Sequence, residues 1–220
     1  MANSPQAATG LTILYHKSLA ELQEKMQMQM SYRTKRLELK ILTDTAAAQV
    51  LQFYLDNQEI FEEFETDRPQ QFYTEPFQKI ILQSEYNLAV KQDFFRFWVF
   101  EKGHPSKIIG TVSLHNIRWG SYLSCEIGYK FDQRHWGRGY AKESILKCIG
   151  IAFQELNLHR VEAYVLAENT ASRKLLESIG FQKEGIKRQS VRMRGVWRDN
   201  DLYALVAGEG QWDGIAGKGR

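Results

Sequence analysis

The residue types best suited to chemistry lie together at Gln133, Arg134, His135, Trp136, Gly137, Arg138, Gly139, Tyr140 and Ala141. A strand-like run over 124–131 leads into them and a helix-like run over 139–156 leaves them. Gly137 and Gly139 remove side chains where the backbone turns into the helix. That exposes a row of N–H groups at the positive end of the helix dipole. Such a terminus receives anions, and Arg134 and Arg138 add charge suited to a diphosphate. The bland alternative is a tight turn with two glycines. No Gly-Lys-Ser/Thr follows, so this is not a Walker A loop. Lys142 stands where a dinucleotide fingerprint needs its third glycine.

The elements that must hold this segment can be read from periodicity. Alternation over 36–41 predicts a strand. Thr43 or Asp44 can cap a helix over 45–56, with Ala47, Val50, Leu51 and Tyr54 on one face. Residues 57–74 read as irregular, and a second helix is expected over 75–90. Three strand-like runs, 93–101, 107–115 and 122–131, are separated by turn residues and predict an antiparallel meander. Beyond the 139–156 helix come a strand over 160–166, a short helix over 169–179 stopped by Gly180, and a closing strand pair over 185–193 and 199–206. The order is β-α-α-β-β-β-α-β-α-β-β. It predicts an α/β (α+β) domain with one mixed sheet and helices on both faces.

Composition bounds the rest. The chain has 220 residues, 43% hydrophobic and 12% aromatic, enough for one cored domain. Two cysteines, Cys125 and Cys148, without a CxxC pair argue against a disulfide scaffold or structural zinc and suit a reducing cytosol. A net charge of +3 suits phosphate-bearing ligands and is too small to argue for nucleic acid. No apolar stretch approaches the ~18 residues of a membrane span, and no signal peptide is recognisable. Residues 1–31 read as an N-terminal extension, partly helical or disordered, with Leu11, Leu14, Tyr15, Leu19, Leu22 and Met26 at helical spacing. The domain is expected over 32–207, and 208–220 as a flexible Gly-rich tail.

Arg134-x-x-Gly137-x-Gly139 resembles the pyrophosphate motif of the GNAT superfamily of acetyltransferases. Glu126-Ile127-Gly128-Tyr129 before it extends the likeness, as do Asn169-x-x-Ser172, Ile179-Gly180-Phe181, Glu184-Gly185-x-x-Arg188, Gly195-x-Trp197 and Asp199-x-Asp201-Leu202-Tyr203 after it. The set is similar to the RimJ/RimL-like subgroup, named for enzymes that acetylate the N-terminal amine of ribosomal proteins, and covers about 33–206. The resemblance implies a single GNAT-like domain with a mixed sheet of about seven strands, splayed between the two central ones. It implies acetyl-CoA as co-substrate and no metal.

Residue by residue, the resemblance implies that Ile127, Gly128 and Tyr129 offer main-chain groups to the pantetheine. Backbone amides from Trp136 to Ala141, together with Arg134 and Arg138, would hold the pyrophosphate. Asn169 would contact the pantetheine near the thiol, or simply cap a helix. Glu126 is the first candidate for the base that deprotonates the amine, with Asp199, Asp201, Glu63 and Glu65 behind it. Many family members carry a tyrosine on the helix after the asparagine to protonate the departing thiolate. Leu175-Leu176-Glu177 stands there instead, and Ser172 is the nearest hydroxyl. His115, His135 and His159 have no partner by spacing, and Arg192, Arg194 and Arg198 meet an acidic substrate or only solvent.

The function implied is cytoplasmic transfer of an acetyl group to a primary amine, with a protein N-terminus as the leading acceptor. A small amine (polyamine, aminoglycoside or amino acid) is the second reading, and an acyl-CoA-binding module without turnover is the third. Neither nucleic acid nor membrane is an expected partner. The oligomeric state stays open, a homodimer being one option.

Overall fold

The computed structural model describes residues 29–208. The amphipathic stretch over 11–26 and most of the Gly-rich tail lie outside the described residues. The strands are β1 (Ser31–Arg33), β2 (Leu37–Lys40), β3 (Phe95–Glu101), β4 (Ile108–Arg118), β5 (Ser124–Phe131), β6 (Arg160–Leu166), β7 (Gln182–Met193) and β8 (Val196–Val206). The helices are α1 (Ala47–Asp56), α2 (Gln58–Phe64), α3 (Glu75–Val90), α4 (Tyr140–Gly150) and α5 (Thr170–Ile179). Helix α4 runs on into a π-helical turn, Ile151–Glu155. No described helix is long and apolar enough to cross a membrane.

All eight strands form one sheet in the order β1-β2-β3-β4-β5-β6-β8-β7. Every neighbouring pair is antiparallel except β5–β6, which is parallel. That pair is also the shortest in proportion to its strands. Ser124, Cys125 and Glu126 face Arg160, Val161 and Glu162, and pairing then stops although both strands continue. The sheet is therefore splayed at its centre. On the far side of the gap, β6 stays paired with β8 from Arg160 to Leu166.

Two apolar layers hold the sheet. On one face Phe95, Phe97, Val112, Leu114, Cys125 and Ile127 pack with Ile145, Cys148 and Ile149 of α4 and Leu176 and Ile179 of α5. On the other, Trp98 and Phe100 of β3 pack with Val50, Phe53 and Tyr54 of α1, Phe61 of α2 and Leu82 of α3. The expected helix over 75–90 and strand over 160–166 match α3 and β6. The expectation of about seven strands becomes eight, because the short β1 pairs with β2. The irregular stretch over 57–74 contains α2 and a 3-10 turn, Gln70–Tyr73. A seven-residue helix is marginal on propensity alone; Phe61 holds it by packing at 5.4 Å from Phe53 and 6.4 Å from Tyr54.

Gly110 of β4 lies opposite Phe131, and a Cβ there would sit 2.2 Å from the Phe131 ring. Gly110→Ala is expected to lower stability by about 1–3 kcal/mol through overpacking, measured by urea unfolding. Combined with Phe131→Ala, it should cost less than the sum of the two single changes.

Candidate active site

The segment after β5 is fastened by its own acid. The buried Asp132 carboxylate accepts the Arg134 amide at 2.9 Å and the Arg134 guanidinium at 2.7–3.0 Å. A second guanidinium contact reaches Asp56 of α1 at 3.0 Å. Burial alone would raise the Asp132 carboxyl, but the Arg134 hydrogen bonds outweigh it and hold it below the usual range. His135 lies 3.4 Å from the same carboxylate. The Trp136 amide closes a 3-10 turn on the Gln133 carbonyl, and its indole N–H donates to the Phe131 carbonyl at 2.9 Å. Arg134 and Trp136 thus spend polar groups on building the turn, a structural task beside the phosphate contact expected of them.

The open amides begin one residue later. Among the described residues, the N–H groups of Gly137 through Lys142 meet no acceptor within the protein, the first helical bond being Glu143 N–H to the Gly139 carbonyl. Gly137 and Gly139 both take left-handed backbone angles, φ 72° and 76°. Such angles cost other residues about 1–2 kcal/mol. Arg36 braces this turn from the β1–β2 connection. Its Nη1 donates to the Arg138 carbonyl at 2.8 Å, its Nε to Glu143 at 2.7 Å, and its guanidinium lies 4.7 Å over the Tyr140 ring. Thr34 adds a 2.6 Å hydrogen bond to Glu143. The Tyr140 ring packs partly buried against the core, and the Arg138 and Ala141 amides belong to the open row.

Beside that row lies the gap in the sheet. Ile127, Gly128 and Tyr129 are paired with β4 but have no partner on the β6 side. A Cβ on Gly128 would come within 3.2 Å of Ser113 Oγ and 3.3 Å of the His115 ring, so glycine lets both side chains close on this strand. Across the gap, Asn169 Oδ1 accepts the Ser172 amide at 3.0 Å and caps α5. Ser172 Oγ lies 2.7 Å from the Tyr129 hydroxyl.

Glu126 sits at the last paired position of β5, next to Glu162 on β6. Burial alone would raise its carboxyl, but hydrogen bonds from His115 and Asn116 outweigh this and leave it below the usual carboxylate range. His115 is its cross-strand partner, with Nε2 3.5 Å from Oε2. The rival acids are committed elsewhere. Glu162 is held by Arg118 and Arg160 at 3.1 and 2.8 Å. Asp201 is buried and pairs with Lys183 at 2.7 Å. Glu65 pairs with Lys130 at 2.5 Å and with Arg68. Asp199 accepts the Gln189 amide, and Glu63 is exposed on α2. Glu126 borders the gap and, among the described residues, has no lysine or arginine ion-paired with it.

Residues 36–182 match the acetyltransferase (GNAT) domain family. The chain belongs to the GNAT family. A Bacillus subtilis (strain 168) protein named "Probable N-acetyltransferase YjcK" is 34% identical over 172 residues, 78% of this chain and 94% of that one. The Escherichia coli (strain K12) [ribosomal protein uS5]-alanine N-acetyltransferase is 29% identical over 176 residues, covering 79% and 89%. The crystal structure of ribosomal-protein-S5-alanine acetyltransferase from Vibrio fischeri superposes with a TM-score of 0.77 at 27% identity, covering 84% of this chain and 99% of that one.

This GNAT chain is thus an acetyl-CoA-dependent N-acetyltransferase. Its residues fit the co-substrate: a free row of amides at the mouth of α4 suits a pyrophosphate, and an unpaired strand edge suits an amide-bearing arm. Among the described residues, no His/Cys/Asp/Glu group could hold a metal. Sequence reasoning missed Arg36, which depends on contact with a distant segment, and the partnership of His115 with Glu126, which depends on the β4–β5 register. The lock of Asp132 on Arg134 had a local signal, an acid two residues before the arginine at a strand end.

A Cβ built on Gly137 meets nothing within 4 Å beyond its chain neighbours, but the φ of 72° strains any other residue there. Gly137→Asp should fold at a cost of about 1–2 kcal/mol in stability, and lose acetyl-CoA affinity by about tenfold or more through like charge beside the phosphates. Isothermal calorimetry on the folded variant checks this, and unchanged affinity contradicts the assignment of the loop.

Proposed function

We propose that the enzyme acetylates the N-terminal α-amine of a protein, and that Glu126 takes the proton. The observation that carries the reading is a carboxylate ion-paired only with His115, without a fixed lysine or arginine among the described residues, at the point where β5 loses its partner. Acetyl-CoA supplies a thioester carbon that takes a bond from the amine nitrogen as its bond to sulphur breaks. The chain's part is to hold and deprotonate. The amides of Gly137 to Lys142 receive phosphate, Ile127 to Tyr129 line the arm, and the Asn169 side-chain amide keeps a free N–H₂ after capping α5 with its oxygen.

A carboxylate held below its usual range is a weak base. It suits an α-amine, whose ammonium form has a pKa of about 7.7–8.0, better than lysine near 10.4. The names of the uS5-alanine relatives point the same way, and a ribosomal-protein acceptor would be met in the cytoplasm. A polyamine would need several free acids, and of the acids over 59–67 Glu65 is already neutralised by Lys130 and Arg68. Glu59, Glu62, Glu63 and Asp67 keep their charge, which is why polyamines belong in the acceptor panel.

The deciding experiment is CoA release with a panel of alanine-starting peptides, polyamines and aminoglycosides. The peptides should turn over fastest, and a polyamine in first place overturns the protein acceptor. Glu126→Gln should lower kcat about 10²–10⁴-fold while the KM for acetyl-CoA holds. Because Glu126 stays ionised through neutral pH, the rise of kcat/KM with pH should follow the acceptor amine. Its midpoint should move when peptides of different α-amine pKa are compared.

A further inference from the structure

Helix α5 offers no phenol of its own, since Leu175, Leu176 and Glu177 fill its middle. A phenol reaches the helix from the opposite bank. Tyr129 lies on β5 three residues past Glu126, the last residue paired with β6. Its hydroxyl meets Ser172 Oγ at 2.7 Å and lies 3.4 Å from the Ser172 carbonyl. Ser172 is itself held in place by the Asn169 cap on its amide. The two hydroxyls thus join β5 to α5 across the divergence of the sheet. Each can both donate and accept, and the phenol is the more acidic of the two. With Tyr129 as donor, the Ser172 O–H is left free to point elsewhere.

We propose that Tyr129 is a positioning residue for proton delivery, donating to Ser172 Oγ so that the Ser172 O–H serves the departing sulphur. This rests on the transferase reading, with acetyl-CoA in the gap beside β5. Ser172 gives its proton to the sulphur that leaves with the bonding pair, and Tyr129 restores the proton to Ser172. Water reprotonates the phenolate, while Glu126 passes the amine proton to solvent, so charge balances and no redox partner is needed. Burial pushes the Tyr129 phenol up to about 12, so a phenolate formed there recovers its proton readily.

The test compares two acyl donors with an alanine-starting peptide: acetyl-CoA, and its selenium analogue, whose selenolate leaves without a proton. Tyr129→Phe should lower kcat with acetyl-CoA about tenfold, near the worth of one hydrogen bond, at unchanged KM. With the selenium analogue the loss should be under about twofold, the discrimination following from a missing proton rather than a missing contact. Ser172→Thr, which keeps a hydroxyl, should retain the donor discrimination of wild type. In the ligand-free protein, the carbon-13 resonance of the Tyr129 phenol carbon should shift in Ser172→Ala. Equal losses with both donors, or a resonance indifferent to Ser172→Ala, overturn the relay while leaving the transferase intact. A wild-type protein that releases no CoA with any amine removes the transferase reading, and the relay with it.

Discussion

Parallel pairing between β5 and β6 ends at Glu126 and Glu162, and most of the site follows from that break. A buried main-chain group without a partner is costly, so a central sheet does not part without something to receive the freed edge. Here the two halves are each stabilised without the other. On one side, β5 is paired along its length with β4. On the other, β6 is paired along its length with β8. The helices α4 and α5 then close one face over a shared apolar layer. The gap leaves the β5 edge open to a molecule that carries its own amides.

The break also orders the chemistry along one strand. Glu126 stands at its start, Ile127 to Tyr129 along its free edge, and the amides of Gly137 to Lys142 beyond its end. Lys130 continues the Glu126 face under the rings of Tyr54 and Phe61, where burial pushes its ammonium down to about 8. Helix α2 and the tip of the β7–β8 hairpin meet above this region, where Arg194 donates to Asp67 and to the Glu62 carbonyl. The region beyond Glu126 is therefore built from segments far apart in the chain, whereas the row of open amides comes from one continuous stretch.

That division explains what the sequence disclosed. The glycine turn, α3 and β6 were legible because each is continuous, periodic and bounded by its own turn residues. Helix α2 was not, because Phe61 stabilises it only once Phe53 and Tyr54 are in place. His115 looked partnerless because its acid lies on the next strand, and a cross-strand pair appears only when register is known. Arg134 could be read from charge and position as a phosphate ligand, but not as the brace of the turn that its ion pairs with Asp132 and Asp56 make it.

The turn that presents the amides is moored on two sides, by Arg36 to the first hairpin and by Arg134 to α1. Its backbone entropy is thus surrendered as the chain folds, before any ligand arrives. On the proposed reading, a diphosphate would meet a cradle already in shape, and less of its binding energy would be consumed in ordering protein. The same stiffness makes the cradle a ruler: it sets where a carrier's phosphates must rest, and so how far along β5 the thioester can reach.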